Sequence, residues 1–297
     1  MIYTEIDRNK ARSAAVIVFF TLLVLLIGYV FGKLTGWGAW GLVFALVLSI
    51  LSVLVSYYYS DSIVIAMSRA VPVDPLKYPY LANTVEGISI AAGLPMPKIY
   101  LIDDPAPNAF ATGRDPKHSA ICFTTGIVNM LNRKELEGVI AHEMSHVKNY
   151  DILIGSITVV LVGVVVMLSD WTLRHVRWSR VGGKGKGVEG VPGLILLLVS
   201  IALALLAPLS AQLLRLAVSR KREYLADASG ALLTRYPEGL ASALEKISKD
   251  KSELTVATKA TAHLYIVNPL FDMRGKINDL FNTHPPTDER IKILRSM

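Results

Sequence analysis

The sequence contains one cysteine, Cys122, among its 297 residues. A single cysteine excludes an intramolecular disulfide framework and is compatible with a reducing compartment such as the cytoplasm. Internal repeats and long low-complexity tracts are also absent. Polar residues are few, since hydrophobic residues make up 52% of the chain. That share is too high for a single soluble domain of this length and predicts a membrane protein.

Four apolar segments carry this excess. They cover about residues 14–31, 39–59, 152–171 and 191–214, and each approaches the roughly 20 residues that a helix needs to cross a bilayer. The segments contain almost no ionisable residues, which argues against an ion or proton pathway through the membrane. We therefore expect four hydrophobic helices arranged as two pairs.

Basic residues predict the orientation of the chain. Arg8, Lys10 and Arg12 precede the first span, whereas only Lys33 lies in the short loop after it, so the N-terminus should be cytoplasmic. The basic loop 174–186 favours the opposite orientation for the later spans. It leaves open whether spans three and four cross the membrane or form a hairpin that dips into it. In both alternatives the chain returns to the side that it left.

The net charge of +7 raises the question of a nucleic-acid partner. No nucleic-acid-binding motif is visible, and the basic residues cluster beside the apolar spans. Contact with anionic lipid headgroups explains that placement more simply. The expected partner of these residues is therefore the lipid bilayer and not nucleic acid.

Residues 142–146 read His-Glu-Met-Ser-His, an H-E-x-x-H run directly before the third span. On a helix His142 and His146 share one face, so both imidazoles can reach a single metal ion with Glu143 beside it. Two nitrogen ligands and a carboxylate are the parts needed to hold zinc and to deprotonate its water. Asn132, with Glu135 three residues later, has the capping-box pattern that predicts the start of this helix.

Catalytic zinc usually takes three protein ligands, so the two histidines need a further partner. Glu223 is the best placed of the glutamates, because it follows span four while the histidines precede span three. Asp227 shares the helical face of Glu223 and could accept a hydrogen bond from a ligand histidine. The alternative for both carboxylates is a solvated, charged face that follows a membrane helix.

Three elements together resemble the HtpX membrane metalloproteases, relatives of the CAAX prenyl proteases: the H-E-x-x-H helix, the E-x-x-x-D helix after a membrane hairpin, and the H-P-P element that begins at His284. The resemblance spans nearly the whole chain. It implies one zinc ion held by His142, His146 and Glu223, with Glu143 as the general base. The predicted fold is therefore a mainly α membrane protein with four hydrophobic helices, carrying an α+β zincin-type catalytic domain with a small β-sheet.

A small sheet should lie close to this site. Residues 98–103 and 119–124 read as short strands, because apolar residues alternate along them. The residues Asn108, Ala109 and Phe110 open an N-A-F-A-T-G stretch that resembles the family's segment at the substrate edge of the sheet. A polypeptide could bind there as an added strand through backbone hydrogen bonds. The alternative for this stretch is an ordinary turn.

Two residues late in the sequence are further candidates. Pro285 and Pro286 restrict the backbone after His284 and could aim its imidazole at the tetrahedral intermediate, so His284 is a predicted catalytic residue. Arg290 resembles the basic residue of the family's H-P-P...R-I pattern. It either anchors the His284 loop or contacts the site.

The predicted organisation has four parts along the chain. They are a membrane hairpin in residues 1–60, the first part of the catalytic domain in 61–151, a second hairpin in 152–214, and the second part of the catalytic domain in 215–297. The predicted function is a zinc endopeptidase that cleaves exposed segments of misfolded or damaged membrane proteins, as quality control under stress. We expect it in the plasma membrane, multi-pass, with the active site facing the cytoplasm.

Other interpretations are a non-enzymatic membrane scaffold with a structural zinc site and a CAAX-type prenyl-protein protease. A di-iron oxidase needs two E-x-x-H pairs, and this chain has one. Intramembrane proteases of the site-2 class carry H-E-x-x-H within a span. Here charged residues surround the motif, which places it at or above the membrane surface.

Overall fold

The computed structural model describes residues 2–163, 219–258, 260–269 and 285–297. Several predictions fall elsewhere: the later part of span three, all of span four, the basic loop 174–186 and His284 lie outside the described residues.

Two long apolar helices form an antiparallel hairpin. Helix α1 covers Ile2–Thr35 and α2 covers Ala39–Met67, and both are long and apolar enough to cross a membrane. Glycines face each other near the turn, where a Cβ atom on Gly41 would lie 2.6 Å from the Cα atom of Gly32. Only residues without side chains allow two helix backbones to approach this closely. The first two predicted spans are therefore present as a tightly packed pair.

Four short strands form one mixed sheet: β1 (Val71–Pro72), β2 (Lys98–Ile102), β3 (Ala109–Asp115) and β4 (His118–Thr124). Their order is β1-β2-β4-β3, with β2 parallel to β4 and the other two pairs antiparallel. Strand β3 therefore lies at an edge of the sheet. The predicted strands 98–103 and 119–124 match β2 and β4 to within one residue, so that prediction is confirmed.

The other described helices follow in chain order: α3 (Pro79–Ala92), α4 (Thr125–Met130), α5 (Arg133–Lys148), α6 (Asp151–Gly163), α7 (Arg220–Thr234), α8 (Pro237–Lys249), a 3-10 turn (Ala262–Leu264) and α9 (Thr287–Arg295). The resemblance implied a mainly helical chain with a small sheet, and this coarse prediction is confirmed. Of the four predicted hydrophobic helices, two are described in full. Helix α6 covers the described beginning of the segment predicted to form span three, and it is a shorter apolar helix.

Alternate residues of the sheet pack into two different cores. Leu101 and Phe123 pack with residues of α3, α5 and α8 in one cluster. Phe110 and Cys122 pack with residues of α1, α2 and α6 in the other. Because successive side chains of a strand point to opposite faces, one face of the sheet packs against α3, α5 and α8 and the other against α1, α2 and α6.

Candidate active site

Helix α5 carries the H-E-x-x-H residues and is fixed at its start. The Asn132 side chain accepts a hydrogen bond from the backbone N–H of Glu135 at 3.1 Å, and the Glu135 carboxylate accepts one from the backbone N–H of Asn132 at 2.9 Å. The predicted capping box is therefore present. Ser242 and Lys246 of α8 also donate to the Glu135 carboxylate, each at 2.7 Å. One buried carboxylate thus caps the metal-binding helix and joins it to α8.

Two imidazoles and one carboxylate converge at the middle of α5. The Nε2 atoms of His142 and His146 lie 3.2 Å apart. The carboxylate of Glu223, which comes from α7, lies 3.8 Å from His142 Nε2 and 3.7 Å from His146 Nε2. His142 and Glu223 are buried, and the side chain of His146 is 15% exposed. The structure therefore brings the three predicted metal ligands together.

The spacing of these atoms fits a zinc ion. Ligand atoms at about 2.0–2.2 Å from a tetrahedral zinc lie about 3.3–3.6 Å from one another. The observed separations, 3.2 to 3.8 Å, are close to those values. Two imidazole nitrogens with one carboxylate are also a donor set of catalytic zinc sites, which keep a fourth position open.

Helix α7 approaches α5 closely because Gly230 has no side chain. A Cβ atom at this position would lie 3.1 Å from the backbone nitrogen of His142, which is closer than a usual van der Waals contact. Glu223 and Asp227 precede Gly230 on the same helix. The glycine therefore sets the distance at which α7 presents its carboxylates to the histidines.

The outer nitrogen of His142 is held by a carboxylate and an arginine. His142 Nδ1 lies 2.9 Å from Asp227 Oδ1, so the neutral ring carries its proton on Nδ1 and turns Nε2 towards the metal position. Arg290 of α9 donates to both oxygens of Asp227, at 2.7 and 2.8 Å. Burial raises the pKa of Asp227, but the charge and hydrogen bonds of Arg290 outweigh it and lower this pKa to about 2. The carboxylate therefore stays ionised.

A second carboxylate, Asp151, holds His146, and the sequence pattern does not single it out. Asp151 Oδ2 lies 2.9 Å from His146 Nδ1. Helix α5 ends just before this point, and Tyr150 has a φ of 60°. That left-handed conformation breaks the helix and turns Asp151 back towards His146. The available signal was a carboxylate at the junction of the metal-binding helix with an apolar span.

The two histidines consequently differ in their affinity for protons. Burial lowers the pKa of His142. Burial also lowers the pKa of His146, but the hydrogen bond to Asp151 and the nearby carboxylates of Glu223 and Glu143 outweigh it and raise this pKa to about 9.

The predicted base, Glu143, lies beside the metal ligands with only 2% of its surface exposed. Ala111 of β3 lines the same cavity as Glu143. Burial raises the pKa of Glu143 to about 7; the positive charge of His146 opposes this shift, and the negative charge of Glu223 adds to it. A carboxyl group with a pKa near neutrality can both accept and return a proton at physiological pH.

Comparison with known proteins identifies the family of this chain. The model of peptidase family M48 matches residues 75–297 of the chain. The chain belongs to peptidase family M48. It is 45% identical to the protease HtpX homolog of Caldanaerobacter subterraneus subsp. tengcongensis, over 97% of this chain and 95% of that protein. The protease HtpX homolog of Dictyoglomus thermophilum is 45% identical over 99% of this chain and 94% of that protein.

Another relative, the protease HtpX homolog of Tropheryma whipplei strain Twist, is 45% identical over 100% of this chain and 99% of that protein. Among solved structures, Ste24p of S. mikatae matches with a TM-score of 0.47 and 22% identity, over 90% of this chain and 62% of that chain. The resemblance to the HtpX proteases is confirmed by the curated relatives. The M48 chain is therefore a metallopeptidase.

The edge of β3 in this M48 chain is partly covered by a later segment. The Asn108 amide donates a hydrogen bond to the carbonyl of Val267 at 2.9 Å. The carbonyl of Ala109 accepts one from the backbone N–H of Ile266 at 3.0 Å. Two of the three residues predicted to bind substrate are thus engaged by residues 266–267.

Phe110, the third predicted substrate residue, points to the opposite face of the strand. It is fully buried, and its ring centroid lies 5.0 Å from that of Tyr265 in an edge-on arrangement. Ala111, the next residue, lines the cavity that Glu143 also lines. The strand therefore connects the predicted substrate edge to the catalytic base.

A small cavity of about 50 Å³ lies at the candidate metal site of this M48 chain. Its walls include His263, Leu264 and Ile266, which no sequence motif identifies. His263 is buried, with 6% of its surface exposed. Since it stands far from the H-E-x-x-H run and lacks a recognisable neighbour pattern, no signal in the sequence could have found it.

His284 lies outside the described residues, so its catalytic role stays a prediction. Arg290, six residues later in the H-P-P...R-I pattern, is described and is 1% exposed. Besides binding Asp227, it donates to the carbonyl of Ile266 at 3.0 Å and lies 3.9 Å from Glu223 Oε2. It thus contacts the residues around the metal position directly.

Proposed function

We propose that this chain is a zinc-dependent endopeptidase of the membrane that cleaves exposed segments of misfolded or damaged membrane proteins. The observation that supports the metal chemistry is the convergence of His142, His146 and Glu223, whose ligand atoms all lie within 4.8 Å of one another. Buried Glu143 stands beside them as the base. Membership of the M48 family supports hydrolysis of peptide bonds, and the apolar hairpin supports a place in the membrane.

The residues divide the catalytic work between them. His142, His146 and Glu223 would hold a zinc ion, which would supply the Lewis acidity for activating a water molecule and a peptide carbonyl. Asp227 and Asp151 accept hydrogen bonds from the Nδ1 atoms of the two histidines, so that Nε2 of each ring faces the metal position. Glu143 takes the proton of the water and later delivers it to the leaving amine.

The substrate is proposed to bind as an extended strand beside β3. Backbone hydrogen bonds to an edge strand give affinity with little sequence preference, which suits an enzyme that removes diverse damaged proteins. A cavity of about 50 Å³ has room for an ion and a water but not for a peptide. Residues 262–267 therefore have to move away from β3 when a substrate binds. That movement releases Asn108 and the carbonyl of Ala109 for the substrate, while Phe110 anchors the strand from its buried face.

Two further parts of this proposal come from sequence patterns. His284 is proposed to stabilise the tetrahedral intermediate from the H-P-P element. Four hydrophobic helices are proposed to hold the chain in the plasma membrane, with the active site facing the cytoplasm and a role in protein quality control under stress. Spans three and four are proposed to bring Glu223 back to the side of the histidines.

Replacement of the base tests the proposed reaction. Glu143→Gln keeps the shape of the side chain but cannot accept the proton, so we expect cleavage of casein or a membrane-protein substrate to fall by about 10²–10⁴-fold. Zinc content, measured on the same purified sample, should match that of the wild type. His146→Ala is the matched control and should lose both zinc and activity.

Each other outcome of this experiment has a definite meaning. If Glu143→Gln cleaves as fast as wild type, the assignment of the base is wrong. If wild type binds zinc but cleaves nothing, the alternative of a structural zinc site in a membrane scaffold replaces the protease.

The proposed orientation can be tested with single cysteines. The native Cys122 is fully buried and burial raises the pKa of its thiol, so it should not react with polar maleimides. Gly36→Cys places a thiol in the turn between α1 and α2, where the space around an added Cβ atom is open. Lys77→Cys places one on the exposed surface of the catalytic part. We expect labelling from opposite sides of the membrane; labelling of both from the same side would contradict the crossing hairpin.

A further inference from the structure

Asn9 lies on the first hydrophobic helix, α1, and is buried although its neighbours in the sequence are exposed. Its neighbours Asp7, Arg8 and Lys10 are exposed, whereas Asn9 is 1% exposed. A buried amide is costly unless its donors and acceptor find partners. The burial of this one polar residue therefore points to specific contacts.

The contacts of Asn9 lead directly to the carboxylate behind His146. Its Nδ2 group donates to Asp151 Oδ1 at 2.7 Å and to the carbonyl of Asn149 at 2.9 Å. Its Oδ1 atom lies 3.4 Å from Nη1 of Arg222, which also donates to Asp151 Oδ1 at 3.1 Å. The other oxygen of Asp151 lies 2.9 Å from His146 Nδ1. One side chain of α1 is thus two hydrogen bonds away from a metal ligand.

The same contacts hold the turn between α5 and α6. Asn149 is the C-cap of the metal-binding helix, and Tyr150 has the left-handed backbone that points Asp151 at His146. Asn9 binds the residues on both sides of Tyr150. The ammonium group of Lys10 lies over the Tyr150 ring, 4.6 Å from its centroid. Helix α1 therefore encloses a turn whose conformation is unfavourable for a residue with a side chain.

We propose that Asn9 is a positioning residue of the metal site, through which the first hydrophobic helix fixes Asp151 and thereby the orientation and tautomer of His146. The family model begins at residue 75, so this contribution comes from outside the segment that it matches. The inference rests on the proposed zinc site. It predicts that the hairpin both anchors the chain and increases the affinity of the site for zinc.

Zinc affinity, measured by competition with a chromophoric chelator, tests this inference without relying on activity. Loss of a carboxylate that orients a ligand histidine weakens metal binding by about 10–100-fold, so we expect this loss for Asp151→Ala. Asn9→Leu keeps the volume of the side chain but removes its hydrogen bonds, and should weaken zinc binding by about tenfold. Asn9→Ala should act in the same direction and serves as the second variant if the leucine is not accommodated.

A double variant distinguishes positioning from general destabilisation. If Asn9 acts through Asp151, Asn9→Leu should cause no further loss of zinc affinity in the Asp151→Ala background. Ser13→Ala is the matched control, because Ser13 is also buried on α1 but, among the described residues, its hydroxyl bonds within its own helix to the carbonyl of Asn9. This control should bind zinc like the wild type.

The outcomes separate failure of this inference from failure of the proposed function. If the wild type binds no zinc, the metal site itself is wrong. If the wild type binds zinc and Asp151→Ala weakens it, but both Asn9 variants remain within twofold of wild type, Asn9 has no positioning role. An equal loss in Ser13→Ala, or additive losses in the double variant, would also overturn the inference.

Discussion

The two histidines proposed as metal ligands are supported by different contacts. His142 is backed by Asp227 and Arg290, whose side chains are 1–2% exposed and joined by two short hydrogen bonds. His146 is backed by Asp151, whose side chain is 9% exposed and lies where the catalytic part meets the hydrophobic hairpin. The first support is sealed inside the catalytic core. The second depends on how the hairpin docks.

This difference shows how one metal site can depend on two independent parts of a fold. The His142 side needs only the packing of α5, α7 and α9, which the first core cluster provides. The His146 side needs α1 as well, through Asn9. Substitutions on the two sides should therefore differ in their effects on the free energy of unfolding, on the pH dependence of zinc binding and on zinc affinity.

The largest expected effect is on the free energy of unfolding. It comes from replacing the arginine that pairs with Asp227 or the one that pairs with Asp151. Arg290→Met leaves Asp227 charged and buried without its partner, and breaking a buried ion pair in this way costs about 3–5 kcal/mol. Arg222→Met leaves Asp151 with its hydrogen bond from Asn9, so the expected loss is about 1.5–3 kcal/mol. Denaturant unfolding of the purified variants in detergent measures both. Equal losses would mean that the two supports do not differ in the way that their burial indicates.

The two histidines should also differ in their protonation state when no metal is bound. His142 is neutral at pH 7 because burial lowers its pKa, whereas the pKa of His146 is raised to about 9 despite burial. A protonated imidazole cannot bind metal, so below about pH 9 zinc must displace a proton from His146. We therefore expect the dissociation constant for zinc to fall about tenfold per unit as the pH rises from 7 to 8.5.

Calorimetry in buffers of different ionisation enthalpy measures the number of protons released, and about one per zinc is expected. Asp151→Asn should weaken the pH dependence, because the neutral amide no longer stabilises the protonated ring. A dissociation constant that does not change with pH would show that His146 is already neutral.

The smallest expected effect concerns the close approach of α7 on the His142 side. Gly230→Ala places a methyl group 3.1 Å from the backbone nitrogen of His142 and should push α7 back by a few tenths of an ångström. Glu223 and Asp227 both belong to this helix and would move with it, so we expect zinc affinity to fall several-fold. Gly87→Ala on the exposed face of α3 is the control, because an added Cβ atom meets nothing within 4 Å there. It should leave zinc affinity unchanged and stabilise the helix by about 0.5–1 kcal/mol.

The local features of the site were predictable from the sequence. Asn132 and Glu135 form a capping box because the two residues are three apart, and the spacing of His142 and His146 places them on one helical face. Glu223 could be proposed from the pairing of the later spans, with the family resemblance to support it. These inferences need only helix geometry and chain topology.

The supports of the site could not be predicted in the same way. Asp151 reaches His146 only because Tyr150 adopts a left-handed backbone that residues with side chains seldom adopt. Asn9 is 142 residues from Asp151 along the chain, and no periodicity links them. The covering of Ala109 by Ile266 is likewise a contact between distant segments. Such contacts arise from the packing of the whole chain, which a single sequence does not display.

The ion pair between Asp227 and Arg290 has a consequence for the timing of activity. Asn9 is translated near the start of the chain and Arg290 near its end. The residues around the site therefore span 282 consecutive residues. At roughly 5–20 residues per second, a ribosome takes about 14–56 s to translate that length. A nascent chain can form its first hairpin long before the residues of the proposed hydrolytic centre are complete. Proteolytic activity should therefore begin only after nearly the whole chain has been synthesised and has folded.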